Sequence, residues 1–208
     1  MISLAYITLN EERYMKRSIE SAAEIADQIV VVDAMSEDST AEICKSLGAE
    51  VYLEEWRDDF SYARNVAVSH CSEPWIFMLD ADEHLETECI ERIRKAAECG
   101  ESEGVVAYQL PRKNHYPEHE ADSLFFAFPF YPDLQTRLFR NIDEIYFSGR
   151  VHEGVVQSIE MSGVGGIGRI SVTIHHHMFR GNQERYEPEK NAYYKRLSEL
   201  DSQSALEE

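Results

Sequence analysis

The sequence is short of cysteine, of basic residues and of long apolar runs. Its four cysteines form no Cys-x-x-Cys pair, and a chain of 208 residues can bury a core without disulfides. We therefore predict a reducing setting, the cytoplasm. No run reaches the roughly 18 apolar residues that would span a bilayer. Residues 1–6 lack the features of a signal peptide, so none is expected.

Basic residues are outnumbered by acidic ones, 20 against 39, which gives a net charge of -19. This charge opposes binding to nucleic acid phosphates and to anionic membrane surfaces. We therefore predict no nucleic-acid partner and at most peripheral membrane association. The same charge can also serve only to keep the protein soluble. An anionic substrate would need a cation to mediate its binding.

Apolar runs and segments of helical periodicity alternate over the first hundred residues, and this pattern is typical of βαβ units and a mostly parallel sheet. The predicted strands are 2–9, 29–32, 51–53 and 75–79, and the predicted helices are 11–26, 40–47, 62–69 and 87–97. Beyond residue 100 the sequence predicts mixed strands at 105–110 and 138–147, a loop at 112–122 and a charged helix at 184–200. A chain of 208 residues, 43% of them hydrophobic, matches one domain, so we predict one α/β domain without repeats.

Polar side chains follow three of the predicted strands. Asn10, Asp33 and Asp80 each come where a strand ends, and ligands of open α/β sheets bind beyond the carboxyl ends of the strands. Core packing does not explain three such residues together. The sequence therefore predicts a ligand site at this edge.

An acidic turn, Asp80-Ala81-Asp82-Glu83, follows the apolar segment 75–79. Two carboxylates that flank a small residue can bind Mg²⁺ or Mn²⁺ and leave coordination positions for phosphate oxygens and water. The alternative is an acidic turn that only caps the following helix. The apolar strand before the turn fixes where the turn must emerge, which favours the metal site.

Four ordered segments resemble the motifs of glycosyltransferase family 2. They are residues 2–12, 29–33 with 36–40, 56–61 with 63–65, and 75–83. The similarity is strong over residues 1–90 and loose beyond them, and it is greatest to the branch with lipopolysaccharide-core β-glucosyltransferases and peptide S-glycosyltransferases.

This resemblance implies a GT-A fold, which is a nucleotide-binding αβα sandwich with a mostly parallel central sheet and a mixed, β-rich C-terminal half. A single domain would cover residues 1–208, with a donor-binding half at 1–100, an acceptor-side half at 101–182 and a C-terminal helix and tail at 183–208. The implied activity is inverting transfer of a sugar from a nucleotide-diphosphate donor, with a UDP-sugar favoured.

The resemblance also implies donor-binding residues. Asp33 would hydrogen-bond the nucleoside, Asn10 and Glu11 would line the same pocket, and Arg64 would approach the base or the diphosphate together with Asp80. The alternatives are that Asn10 only caps a helix, and that Arg64 only pairs with an aspartate at 58 or 59. For Asp38 we expect that the side chain caps a turn.

The implied metal ligands are Asp82 and Asp80, which would hold Mn²⁺ or Mg²⁺ against the donor diphosphate. A C-terminal histidine also joins the metal in several enzymes of this fold, and His176 is our choice from His175-His176-His177. Adjacent strand residues face opposite sides, so these three cannot all face one ion. The alternative is a histidine-rich strand end without a metal.

An inverting transfer needs a general base to deprotonate the acceptor. In the family the base is usually the Asp of a Glu-Asp pair, and a Gln-x-x-Arg-Trp segment follows it. Here Gln135-Thr136-Arg137 is only weakly similar to that segment. We take Glu153 as the first candidate, because its Val-His-Glu segment is similar to one that recurs in the branch named above. Asp133 is the second, and His152 is a candidate to orient Glu153.

The sequence does not identify the acceptor, which can be a carbohydrate (for example a cell-envelope glycan), a lipid-linked molecule or a peptide. The aromatic run 125–131 either stacks on the acceptor or packs in the core, and the core is favoured. A nucleotidyltransferase is the alternative enzyme, although the acidic segment 9–12 lacks the glycines and basic residues that hold a triphosphate. A non-catalytic module that binds nucleotide sugars is the other alternative.

Overall fold

A computed structural model describes residues 1–115, 133–177 and 188–207. The strands over these residues are β1 (Ile2–Thr8), β2 (Gln28–Asp33), β3 (Glu50–Leu53), β4 (Trp75–Met78), β5 (Glu83–His84), β6 (Val105–His115), β7 (Asp133–Arg140), β8 (Gly166–Arg169) and β9 (Ile174–His177). The helices are α1 (Met15–Ala22), α2 (Thr40–Ser46), α3 (Phe60–His70), α4 (Ile90–Glu103), α5 (Val156–Ser162) and α6 (Pro188–Glu207).

All of these strands join one sheet, in the order β3-β2-β1-β4-β7-β6-β9-β5, with β8 beside β6. The pairings β3-β2, β2-β1 and β1-β4 are parallel. Antiparallel pairing begins at β7, which pairs with both β4 and β6, while β8 and β9 run parallel to β6. The sheet is therefore mostly parallel in the first half and mixed in the second, as predicted.

Helices cover both faces of this sheet, which explains the continuous apolar runs of the central strands. On one face Leu4 and Phe77 pack with Ile93 of α4, and on the other Ile76 packs with Ala67 of α3. All five side chains are fully buried. Burial of each large side chain contributes about 1.5–3 kcal/mol, so this two-sided core fixes the strand ends.

Several element boundaries differ from the prediction. Helix α1 begins at Met15 and not at residue 11, because Asn10 has a positive φ of 55° and the chain turns before it becomes helical. Helix α4 runs on to Glu103 and ends at Gly104, whose φ of 68° suits a helix terminus.

The strand predicted at 138–147 lies instead at 133–140. Asn141 follows its last residue, and the side-chain amide of Asn141 donates to the backbone oxygens of Cys71 and Glu73. Residues 112–115, predicted as loop, extend β6 because they pair with β9. The rest of that loop and the aromatic run 125–131 lie outside the described residues. None of the described helices is long and apolar enough to cross a membrane.

Candidate active site

Strands β1, β2 and β4 bring three polar residues to one edge of the sheet. Asp33 is the last residue of β2, while Asn10 and Asp80 each lie two residues beyond the ends of β1 and β4. The hydrogen bond from Leu79 N to Ala5 O keeps the last of these segments beside β1. The prediction that these three residues emerge at one edge is confirmed.

The side chains of Asp33 and Asn10 form hydrogen bonds that connect the loop after β1 to the loop after β2. The buried carboxylate of Asp33 accepts hydrogen bonds from Thr8 Oγ1 at 3.0 Å and from the backbone and hydroxyl of Ser36 at 2.7 and 2.6 Å. Asn10 Oδ1 accepts from Glu37 N at 2.9 Å. Asn10 therefore does not cap α1, whose N-cap is residue 14. The contacts of Asn10 and Asp33 with a nucleoside stay predictions.

Hydrogen bonds also connect the segment before α2 to the loop after β1. Asp38 Oδ1 accepts from Thr40 N at 2.9 Å, and Asp38 Oδ2 accepts from Glu12 N at 3.2 Å. Glu11 N donates to Thr40 Oγ1 at 2.7 Å. The expectation that Asp38 caps a turn is confirmed, while the role of Glu11 in the donor pocket stays a prediction.

Asp80 lies between two buried arginines. Arg64 Nη2, from α3, donates to Asp80 Oδ1, and Arg137 Nη2, from β7, donates to Asp80 Oδ2, each at 2.7 Å. Burial raises the pKa of the Asp80 carboxyl, but Arg137 and Arg64 outweigh it and hold that pKa well below its usual range. Asp80 is therefore ionised. The alternative in which Arg64 pairs only with an aspartate at 58 or 59 is wrong.

Glu83 extends this network and is entirely buried. Its Oε1 accepts from Arg137 Nη2 at 2.8 Å and lies 3.4 Å from Arg112 Nη1, and its Oε2 accepts from Asp80 N at 3.1 Å. Burial raises the pKa of Glu83 even though Arg137 opposes the shift. Asp133, the second candidate base, pairs with Arg112 at 2.8 Å.

Glu153 reaches the same cluster from the second half of the chain. Its Oε1 accepts from Arg64 Nε at 2.6 Å, so one guanidinium holds both Glu153 and Asp80. His152 makes no hydrogen bond to Glu153 in the described structure, and its positive φ of 59° turns the chain instead. The structure thus places Glu153 beside Asp80, although its role as the base stays a prediction.

Asp82, directly before β5, lies close to His176 of β9. His176 Nε2 lies 3.5 Å from Asp82 Oδ1, and His176 Nδ1 lies 2.8 Å from Asn114 Oδ1. A protonated His176 would form an ion pair with Asp82. With the proton on Nδ1 only, donated to the amide oxygen, Nε2 would present a lone pair beside the carboxylate. This second arrangement is a donor set that suits a divalent metal whose histidine is oriented by an amide.

Within the described residues, no group of three or more His, Cys, Asp and Glu side chains is arranged to hold a metal ion. Both carboxylate oxygens of Asp80 already accept from arginines. Asp80 as a metal ligand stays a prediction.

The neighbouring histidines turn to the other side of the strand. His175 and His177 pack with His84 and His115, with ring centroids 4.9–5.1 Å apart in the four contacts between the two pairs. Burial, followed by the cation of Arg17, lowers the pKa of His84 to about 4. The prediction that three adjacent histidines cannot all face one ion is confirmed.

Sequence reasoning missed Arg112, Arg137 and Glu83 as parts of one buried network. Arg137 lies directly before the buried Leu138 and Phe139. An arginine directly before buried apolar residues is a signal of a buried charge with a partner, although the sequence does not show which carboxylate it meets.

Comparisons with known proteins match this chain to glycosyltransferases. The family model described as "Glycosyl transferase family 2" matches residues 3–151. The SPbeta prophage-derived glycosyltransferase SunS of Bacillus subtilis (strain 168) is 30% identical over 154 residues, which are 73% of this chain and 34% of SunS. An uncharacterized glycosyltransferase of Rickettsia typhi is 36% identical over 109 residues, 52% of this chain and 37% of that protein. The chain thus spans about a third of the length of these relatives.

Solved structures share the fold. Glucosyl-3-phosphoglycerate synthase from Mycobacterium tuberculosis, in complex with Mg²⁺ and UDP, has a TM-score of 0.67 and 15% identity, covering 98% of this chain and 78% of that one. S. aureus TarS 1-349, in complex with UDP-GlcNAc, has a TM-score of 0.61 and 17% identity, covering 96% and 66%. These neighbours are GT-A glycosyltransferases, so the fold is of the GT-A type.

Proposed function

Because the chain belongs to glycosyltransferase family 2, we propose that it transfers a sugar from a UDP-sugar, with inversion at the anomeric carbon, to a carbohydrate, lipid-linked or peptide acceptor. The observation that carries this proposal is the Asp82–His176 pair beside the doubly paired Asp80. The free cysteines agree with the cytoplasm, which we propose as the location. A cell-envelope glycan is one acceptor that fits.

The donor proposal is supported by the position of the site and by the neighbours. Ligands of open α/β sheets bind beyond the carboxyl ends of the strands, where Asp33 and Asp80 lie. The neighbouring structures were solved with UDP, with UDP-GlcNAc, and with Mn²⁺ or Mg²⁺. We therefore propose the same class of donor here.

The electrostatics of the site support a metal. The network holds three arginines, Arg64, Arg112 and Arg137, and four carboxylates, Asp80, Glu83, Asp133 and Glu153. Because the carboxylates outnumber the arginines, this network offers no net positive charge to a diphosphate. Asp82 and His176 would hold Mn²⁺ or Mg²⁺, which would neutralise the diphosphate and the charge that develops as it leaves.

Arg64 has a further feature that suits a donor ligand. Its Nη1 is buried and meets no hydrogen-bond acceptor in the described structure. A buried N–H group without a partner is costly unless a ligand accepts from it. We propose that a phosphate or sugar oxygen of the donor takes this place.

Glu153 is the better placed of the two candidate bases. One guanidinium, that of Arg64, joins it directly to Asp80. Among the described residues, Asp133 is connected to Asp80 through Arg112, Glu83 and Arg137. We propose that Glu153 takes the acceptor proton while Arg64 keeps the carboxylate turned toward the donor site.

A panel of nucleotide sugars with Mn²⁺ tests the proposal. We expect UDP-sugars to raise the melting temperature of the protein only with the metal, and one of them to be hydrolysed or transferred. Absence of binding by every nucleotide sugar would contradict the proposal. Binding without turnover would instead favour the non-catalytic module, and turnover of a nucleoside triphosphate would favour a nucleotidyltransferase.

A further inference from the structure

Helix α6 is fastened to the segment that precedes α3. Tyr193 donates its hydroxyl to Asp58 Oδ1 at 2.5 Å and accepts from Trp56 Nε1 at 2.6 Å. Arg196 pairs with Asp58 Oδ2 at 3.0 Å, and Leu197 is completely buried. These polar and apolar contacts fix the helix against the rest of the domain.

One further side chain of α6 reaches the loop 149–153 that carries Glu153. Asp201 Oδ2 accepts from Arg150 N at 2.9 Å, and Arg150 O accepts from Phe60 N at 3.0 Å. Both backbone groups of Arg150 are therefore held from outside the loop. The ends of the loop are closed by two hydrogen bonds between Ser148 and Gly154.

The conformation of this loop needs such support. Gly149 has a φ of 92° and His152 a φ of 59°, and for a residue with a side chain, such as His152, the left-handed region is strained. A strained backbone persists where its surroundings fix it. A hydrogen bond from a backbone N–H to a carboxylate is among the stronger ones, so Asp201 is a suitable restraint.

We propose that Asp201 is a positioning residue, which holds loop 149–153 so that Glu153 stays on Arg64 beside Asp80. This inference rests on the proposed function, because it assigns Glu153 to the reaction. The family model ends at residue 151, so the matched region contains neither Asp201 nor Glu153. The positioning contact is therefore supplied by a part of the chain outside that region.

The test compares Asp201→Ala with Asp201→Asn, which keeps an oxygen that can accept from Arg150 N. Glu199→Ala, which removes an exposed carboxylate from the same helix, is the matched control. Three quantities are measured on each full-length protein: the hydrogen exchange of the amides of residues 146–154, the affinity for UDP with Mn²⁺, and the kcat for UDP release from UDP-glucose or UDP-GlcNAc.

For Asp201→Ala we expect faster exchange at Arg150 and about a fivefold loss of kcat, the factor that corresponds to about 1 kcal/mol for one hydrogen bond. UDP affinity should stay within about twofold, because the donor contacts remain. Asp201→Asn should recover most of both losses, and Glu199→Ala should match the wild type.

Unchanged exchange at Arg150, an unchanged kcat, or an equal loss of kcat and UDP affinity in Asp201→Ala would overturn the proposal. Failure of Asp201→Asn to recover either quantity would also count against it. If the wild type released UDP from no UDP-sugar of the panel described above, with or without an acceptor, the proposed function would fail instead. The exchange measurement would still decide whether Asp201 orders the loop.

Discussion

Arg64 Nη2 donates to Asp80 Oδ1 at 2.7 Å, and this bond joins α3 to the turn after β4. The same guanidinium donates through Nε to Glu153, 89 residues away in the sequence. The side chain of Arg64 is only 7% exposed, so little water screens either contact. One buried arginine therefore connects the donor side of the site to the candidate base.

Loss of Arg64 should destabilise the protein strongly. Arg64→Ala leaves Glu153 without its arginine and Asp80 with only one, and loss of one partner from a buried ion pair costs about 3–5 kcal/mol. We expect a fall of about 3 kcal/mol in the free energy of unfolding, measured by urea denaturation. Arg57→Ala is the control, because Arg57 pairs with Glu54 at the surface and should cost less than about 1 kcal/mol. An equal loss of unfolding free energy in the two variants would contradict the role of Arg64 as a buried partner of both carboxylates.

Asp80 and Glu83 should respond differently to removal of their charge. Arginines lower the pKa of Asp80, whereas burial raises that of Glu83. Asp80→Asn should therefore cost about 2–3 kcal/mol at pH 7, because it weakens two charge-assisted hydrogen bonds. Glu83→Gln should cost less, about 1–2 kcal/mol, because burial opposes the charge of Glu83, although the new amide faces donors such as Asp80 N. Urea denaturation of both variants checks this order, and the reverse order would contradict the opposite directions of the two pKa shifts.

The attachment of α6 should weaken in acid through Asp58. The Tyr193 hydroxyl, with Trp56 and Arg196, lowers the pKa of Asp58 in the folded protein. A carboxyl with a lowered folded-state pKa stabilises the protein above its unfolded pKa of about 3.9, and this contribution is lost as the pH falls through the folded value. The stability difference between wild type and Asp58→Asn should therefore be present at pH 6 and shrink below about pH 4.

Equilibrium unfolding of the two proteins between pH 6 and pH 3 measures this difference. Asp143→Asn, which alters an exposed carboxylate elsewhere, is the control and should show no such convergence with the wild type. A difference that stays constant for Asp58→Asn would show that the ionised carboxylate does not stabilise α6.

Local sequence patterns predict the first half of the fold well. The parallel strands are buried on both faces, so apolar runs such as 75–79 mark them, and the strand ends then locate Asp33 and Asp80. The periodicity of residues 11–14 did not predict that the chain turns at Asn10, because the turn depends on hydrogen bonds to Ser36 and Glu37. Long-range side-chain contacts of this kind leave no local pattern.

The buried network is the part of the site that the sequence predicts least. Arg137 meets Asp80 across 57 residues and Glu83 across 54, and nothing near Arg137 in the sequence identifies those partners. His176 was chosen because the segment after it resembles the family, and strand alternation places it on the other side of the strand from His175 and His177. Its partner Asn114 was not predicted, since residues 112–122 read as a polar loop.

Calorimetric titration of UDP with and without Mn²⁺ tests the central claim, that Asp82 and His176 hold the metal that binds the donor. We expect Mn²⁺ to strengthen UDP binding by the wild type, and Asp82→Ala or His176→Ala to lose about tenfold or more of that affinity. His175→Ala, on the other side of the strand, should keep it. Mn²⁺-dependent UDP affinity that is undiminished in both Asp82→Ala and His176→Ala would contradict the account.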